Sequence, residues 1–293
     1  MKTASQILAE HRIARAGNKS AYVTVCPQCS HTRRKKRDRC LSVLIDGKGA
    51  RWCCHHCQWH GHEFFDEPRG PDAASKPVVI EQSDNDEQSR IKRALEIWKA
   101  SVPLIGSPGE SYLRARKITK LPPGIEHALR FHSYCPFDGA RRPCVVALFR
   151  DVLTNEPKAI HRIAPINGGP KAERMSFGPK SGCAVKLWSD EAVEQGLVIG
   201  EGIETTLAAA LGVEHRGTLL QPAWAAGSDK AVAKFPILPG IESLTILVDN
   251  DASQAGQDAA RKCAARWLAA GREVIRLIPR TKKDFNDITR GTA

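Results

Sequence analysis

Two pairs of cysteines carry the spacing of metal knuckles: Cys26-Pro-Gln-Cys29 and Cys54-His-His-Cys57, with 24 residues between them. A C-x-x-C turn aims two thiolates at one point. Two such turns complete the tetrahedral shell that zinc prefers and leave no open position, so a structural Zn²⁺ is expected. The ligand rules alone leave alternatives open: Cys53, or a histidine among His55, His56, His60 and His62, in place of one cysteine. A second group is acidic. Glu201 closes "LVIGEG", Asp249 and Asp251 close "LTILVDND", and "KDFNDI" adds Asp284 and Asp287. Alternation along a strand sends Asp249 and Asp251 to one face and Asn250 to the other. Carboxylates gathered this closely repel unless a cation neutralises them. Mg²⁺ or Mn²⁺ suits such a site, taking a few protein oxygens together with water and substrate phosphates.

These residues need elements to hold them. "LSVLIDGKGARWCC" reads as strand, Asp46-Gly47 turn and strand, the hairpin of a zinc ribbon. Residues 69–90 are rich in Pro, Ser, Asp and Gln without periodicity and read as a linker. After it, Ile91, Leu95 and Trp98 recur at helical spacing, and "GESYLRARKI" reads as a second helix. From about residue 129 to 190 short apolar runs broken by Gly and Pro read as strands. The last hundred residues alternate strand, helix, strand, helix, strand, the pattern of a parallel sheet with crossover helices. In such a sheet ligands gather at the carboxyl ends of strands, where the acids fall. The fold class is therefore α/β. The expected division is a zinc ribbon over 1–68, a linker over 69–90, a basic α+β subdomain over 91–190 and a Rossmann-like parallel sheet over 191–293.

The net charge is +12 and the pI near 9.4. That excess suits a polyanionic partner such as nucleic acid or nucleotide. Arg33, Arg34, Lys35, Lys36 and Arg37 fall in one basic run after the first knuckle, a candidate phosphate-tracking strip. Trp52 beside the second knuckle is a candidate for stacking on unpaired bases, with packing in a small core as the alternative. A hydrophobic share of 42% suits a globular chain. No apolar run is long enough for a bilayer, and the first residues lack a signal peptide's apolar stretch, so a cytoplasmic protein without membrane association is expected.

The combination resembles a known family. "GEGIETTLAAA", "ILVDNDASQAGQDAA" and "KDFNDI" are similar to the Toprim domain shared by bacterial-type primases, type IA and type II topoisomerases, and some nucleases and recombination proteins. "CPQC…RWCCHHCQWHG" resembles the zinc ribbon of phage and plasmid primases, a likeness that selects Cys54 over Cys53. "GSPGESYLRARKI", "LRFH", "AIHRIAP" and "PKAERMSFGP" resemble the basic subdomain that precedes Toprim in these primases.

The resemblance implies a DNA primase that makes short RNA primers on single-stranded DNA from NTPs. It implies Glu201 as general acid/base or metal contact, Asp249 and Asp251 as the catalytic metal pair, and Asp284 as a further acid near the metals. It implies Arg162, Lys171 and Arg174 as nucleotide-binding, with Lys180 and Lys186 as further candidates. Many primases carry Asp where this chain has Thr205; Glu204, one position earlier, is a substitute, and a smaller metal shell is the other solution. A non-enzymatic recombination-mediator-like clamp and a Toprim nuclease are the competing functions. No G-x-x-x-x-G-K-[ST] phosphate loop is present, so a replicative helicase is expected as a separate partner.

Overall fold

The computed structural model describes residues 2–32, 36–37, 39–57, 59–65, 81–250, 254–279 and 285. The chain forms two compact units, Met1–Val78 and Val79–Ala293.

The first unit begins with α1 (Ala4–Glu10), opened by a Thr3–Gln6 capping box. Four strands follow, β1 (Ala21–Val25), β2 (Arg39–Asp46), β3 (Gly49–Cys54) and β4 (His60–Phe64), in an antiparallel sheet of that order. The β2–β3 hairpin closes where Asp46 pairs with Gly49. The Asp46 carboxylate accepts from the Lys48 and Gly49 amides at 2.9 and 3.1 Å, which fixes the turn. Ile7 and Leu8 of α1 pack with Leu41, Val43, Ala50 and Trp52 into a small core. A unit this small needs a staple beyond its apolar contacts.

The second unit opens with α2 (Glu81–Lys99), so the stretch 69–90 expected as a linker is helical from Glu81 onward. The physical reason is charge rather than periodicity. Acidic residue types crowd the N-terminal half and Lys99 ends the helix, the order that complements the helix dipole. Then come β5 (Val102–Pro103), α3 (Pro108–Ala115), β6 (Leu129–Phe137), β7 (Ala140–Asp151), β8 (Pro157–Pro165), β9 (Ala172–Phe177) and β10 (Cys183–Lys186). The remainder is β11 (Gly196–Gly200), α4 (Ile203–Gly212), a small β12 (Glu214–His215) and β13 (Thr218–Leu219) hairpin, β14 (Ala223–Ala225), α5 (Asp229–Ala233), β15 (Ser243–Leu247), α6 (Ala255–Ala269) and β16 (Glu273–Leu277).

The strand order is β16-β15-β11-β14-β10-β7-β6-β5, with β8 on β7 and β9 on β8. The four strands β16, β15, β11 and β14 run parallel, and α4, α5 and α6 make their crossovers. β10 pairs antiparallel with both β14 and β7. The boundary expected at 190/191 therefore falls inside one continuous ten-stranded sheet. One core joins residues of α3 and α4 to strand residues such as Val145, Ala159 and Ile163. A second packs α5 and α6 residues against β11 and β15. A third seats Ala94 and Trp98 of α2 against Val146, Ile160 and Ala164. Among the described residues no helix is long and apolar enough to cross a membrane.

Candidate functional site

The zinc knuckles converge. Sγ atoms of Cys26, Cys29, Cys54 and Cys57 all lie within 4.8 Å of one another. Cys26 and Cys57 are 3.8 Å apart, Cys29 and Cys54 3.7 Å. A tetrahedron with Zn–S of about 2.3 Å has edges of about 3.8 Å, so these thiols fit the ion. Burial opposes ionisation of Cys54, but the amides of Cys57 and His56 donate to its sulfur at 3.5 and 3.4 Å and hold it below the ordinary thiol range. The Trp59 amide does the same for Cys57. Burial pushes Cys26 and Cys29 up. A bound metal would displace those remaining protons.

Cys53 is exposed and pairs across the ladder with His60, so it lies outside the cluster, as the family likeness implied. Sequence reasoning missed Cys40. Its buried sulfur stands 3.7 Å from Cys54 and 4.0 Å from Cys29. No C-x-x-C signal marks it; only the β2–β3 register brings it in.

Trp52 requires a correction. It is 5% exposed, packed on His11 and Trp59 at 4.4 and 5.8 Å between ring centroids. A Cβ at Gly61 would come within 2.5 Å of its ring, so β4 leaves room for the indole by carrying glycine there. It is a core residue, not a surface for bases. Lys36 and Arg37 are exposed; Arg33, Arg34 and Lys35 lie outside the described residues.

In the second unit, β11 and β15 are neighbours in parallel register, Ile199 opposite Ile246. Glu201 and Asp249 follow their carboxyl ends. Gly200 is required just before Glu201, because a Cβ there would overlap the Thr206 hydroxyl. The Glu201 carbonyl accepts from the Gly227 amide at 2.8 Å, which ties it to the end of β14. The first turn of α6 closes over Asp249, with Gly256 against its backbone. Asn250 donates its side-chain amide to the Pro279 carbonyl at 3.1 Å. Asp251, Asp284 and Asp287 lie outside the described residues.

The basic candidates divide between the two faces of the sheet. On β8 and β9, Arg174 lies opposite Ile163 and Arg162 opposite Met175. Arg174 thus shares a face with His161 and α4, whereas Arg162 shares the α2 face. Arg162 does not approach the acids as the family likeness implied, because strand alternation turns it away. Arg174 meets Glu204 at 2.6 Å, and the Tyr112 hydroxyl donates to the same carboxylate oxygen at 2.7 Å. Burial alone would raise the Glu204 pKa, but Arg174 and Tyr112 outweigh it and hold it low. Glu204 is therefore committed to this pair, which corrects its reading as a substitute for the acid missing at Thr205. Lys171 is exposed at the end of the β8–β9 loop, just before β9. Lys186 is buried, paired with Asp190 at 2.7 Å and lying over Trp224, a structural role.

Lys180 takes the place the others leave. Its Nζ donates to the Gly227 carbonyl at 3.2 Å. Burial lowers its pKa and the charge of Glu201 works to raise it, which places the two within electrostatic reach. Beside it a cavity of about 260 Å³ is lined by Lys230 and Lys234 with Ser181 and Ser228. Neither lysine stood out in the sequence, because isolated lysines on a short helix carry no pattern. Behind Lys180, His161 accepts or donates to the Ser176 hydroxyl at 2.9 Å, and burial pushes it down to about 4.

Residues 196–293 match the model of the Toprim domain. The C-terminal part of this chain is a Toprim domain. Residues 88–187 match a family described only as a domain of unknown function (DUF7146), so the continuous sheet joins this domain to the Toprim strands. No curated protein matches the chain. Among solved structures, the primase fragment of the bacteriophage T7 primase-helicase protein aligns at 15% identity and a TM-score of 0.38, covering 90% of this chain and 92% of that one. A likeness at that level carries no functional argument.

Proposed function

We propose that this protein is a DNA primase, synthesising short RNA primers on single-stranded DNA by metal-dependent nucleotidyl transfer. The observation that supports the reading is that Glu201 and Asp249 follow the carboxyl ends of the neighbouring strands β11 and β15, with Lys180, which lines the adjoining cavity, in electrostatic reach of Glu201. Acids alone would suit a nuclease equally. Lys180 near Glu201, with Lys230 and Lys234 around the adjoining cavity, suits a substrate that brings its own triphosphate. Glu201, Asp249, Asp251 and Asp284 would hold Mg²⁺ or Mn²⁺, which when bound stabilises charge on the reacting phosphate and on departing pyrophosphate. Glu201 takes the proton of the primer 3′-hydroxyl. Lys180, with Lys230 and Lys234, receives the triphosphate, and Arg174 keeps β9 and α4 in place through Glu204. The four-thiolate knuckle and the basic run Arg33–Arg37 anchor template DNA. Unwinding falls to a separate replicative helicase, and the setting is the cytoplasm.

The test is incubation with labelled NTPs, Mg²⁺ and single-stranded DNA. Oligoribonucleotide products are expected from the wild type, with a loss of at least about 100-fold on Asp249→Ala. DNA binding without synthesis would replace this reading with a clamp, and template degradation would replace it with a nuclease.

A further inference from the structure

On the sheet face away from Glu204, α2 and strands β6, β7, β8 and β9 line an open cavity of about 440 Å³. Arg162 lies in its wall, 6% exposed. Its guanidinium sits near the rings of Phe137 and Phe177, 5.7 and 5.6 Å from their centroids, and donates one Nη hydrogen bond to the Pro136 carbonyl. Its buried Nε has no hydrogen-bond partner among the described residues. No carboxylate among the described residues is within ion-pair distance of it. Arg93 and Arg141 line the same cavity, with Glu96 as its one acid among the lining residues.

Taking a guanidinium out of water is unfavourable unless an anion offsets the loss, and three guanidiniums around one space repel one another. The carbonyl and the two rings offset part of that cost. They supply no negative charge, and the Nε stays unpaired.

We propose that this cavity is a binding site for a phosphate-bearing small molecule of mononucleotide size. The planar guanidinium fork matches phosphate oxygens two at a time, and three of them favour a dianion over a single carboxylate. Ile97 and the Phe177 ring form an apolar wall for the organic part. The volume falls in the range of about 300–1,000 Å³ usual for small-ligand sites. The site is separate from the Toprim acids and stands whether or not the chain makes primers.

AMP and orthophosphate, titrated calorimetrically into the full chain with EDTA present, test it. AMP is expected to bind, with its affinity reduced at least tenfold in Arg93→Ala/Arg141→Ala, two exposed positions whose loss leaves the core intact. Arg162→Met should abolish binding. If Arg162→Met does not fold, the double variant decides alone. Lys180→Ala/Lys230→Ala should leave AMP affinity unchanged in EDTA. Equal affinity in the Arg93/Arg141 variant and the wild type would overturn the site. So would AMP binding lost only in the Lys180/Lys230 variant, or binding of an oligonucleotide without a terminal phosphate but not of AMP or orthophosphate.

Discussion

Arg174 on β9 and Glu204 on α4 form an ion pair at 2.6 Å across the largest core, and Tyr112 of α3 donates to the same oxygen. Three elements far apart in sequence are thereby locked around one buried carboxylate. Removing one partner of such a pair leaves a charge buried without compensation. Arg174→Leu is expected to cost about 2 kcal/mol in urea denaturation, less than is usual for fully buried pairs because water reaches the Arg174 side chain. The double variant Arg174→Leu/Glu204→Leu should recover part of that loss. Additive costs would show that the pair is not a unit, and an unchanged midpoint would show that Arg174 is free for ligand.

The same region sets a response to acid. Glu204 is held below the ordinary carboxylate range, its burial outweighed by Arg174 and Tyr112, and His161 is pushed down to about 4 by burial. A group whose folded pKa is depressed contributes stability above its unfolded pKa and loses it as the pH falls. His161 should act between its unfolded value of 6.5 and about 4, and Glu204 below 4.5. The denaturation midpoint should drop between pH 7 and pH 4, and His161→Gln should flatten the upper part of that slope. An identical slope in His161→Gln would remove His161 from this account.

Zinc analysis of the purified chain should find one ion. Cys54→Ser and Cys57→Ser should lose it, while Cys53→Ser should retain it, since Cys53 lies outside the thiol cluster. Structural zinc contributes folding energy to units of this size, so a chelator should unfold the N-terminal unit while the larger one persists. Metal retained by Cys57→Ser would reassign the fourth ligand, with Cys40 the nearest spare thiol.

Lys180→Ala should raise the KM for NTP about tenfold, the effect of one charge-assisted contact of roughly 1.4 kcal/mol. Lys186→Ala should instead lower stability, because that lysine is buried against Trp224 and Asp190. If Lys186→Ala altered KM alone, the assignment of the two lysines would be reversed.

What could be read from residue order was whatever depends on local spacing. Cys26, Cys29, Cys54 and Cys57 announce a knuckle because a tight turn is encoded within four residues. Glu201 and Asp249 announce strand ends because apolar runs stop at them. The sorting of Arg162 from Arg174 was not legible, since it depends on strand parity against partners that are themselves placed by the fold. Trp52 looked available for bases because nothing nearby in sequence shows that α1 and Gly61 enclose it. The N-terminal half of α2 was hidden by its polarity: a helix that hides little apolar surface leaves no period of 3.6 to detect.

The junction at β10 has a mechanical meaning. Val185 and Lys186 bond to β14 while Cys183 and Ala184 bond to β7. β10 lies at the end of the first family-matched segment and is joined to each neighbour by only two residue pairs, so the ladder by itself would not resist a hinge. What disfavours rigid-body closure is the core shared across the border, where Val145 and Ala159 pack in one cluster with Val198 and Ile203. Adjustment to successive substrates would have to come from side chains and loops at the rim, and the two segments should melt together in one calorimetric peak.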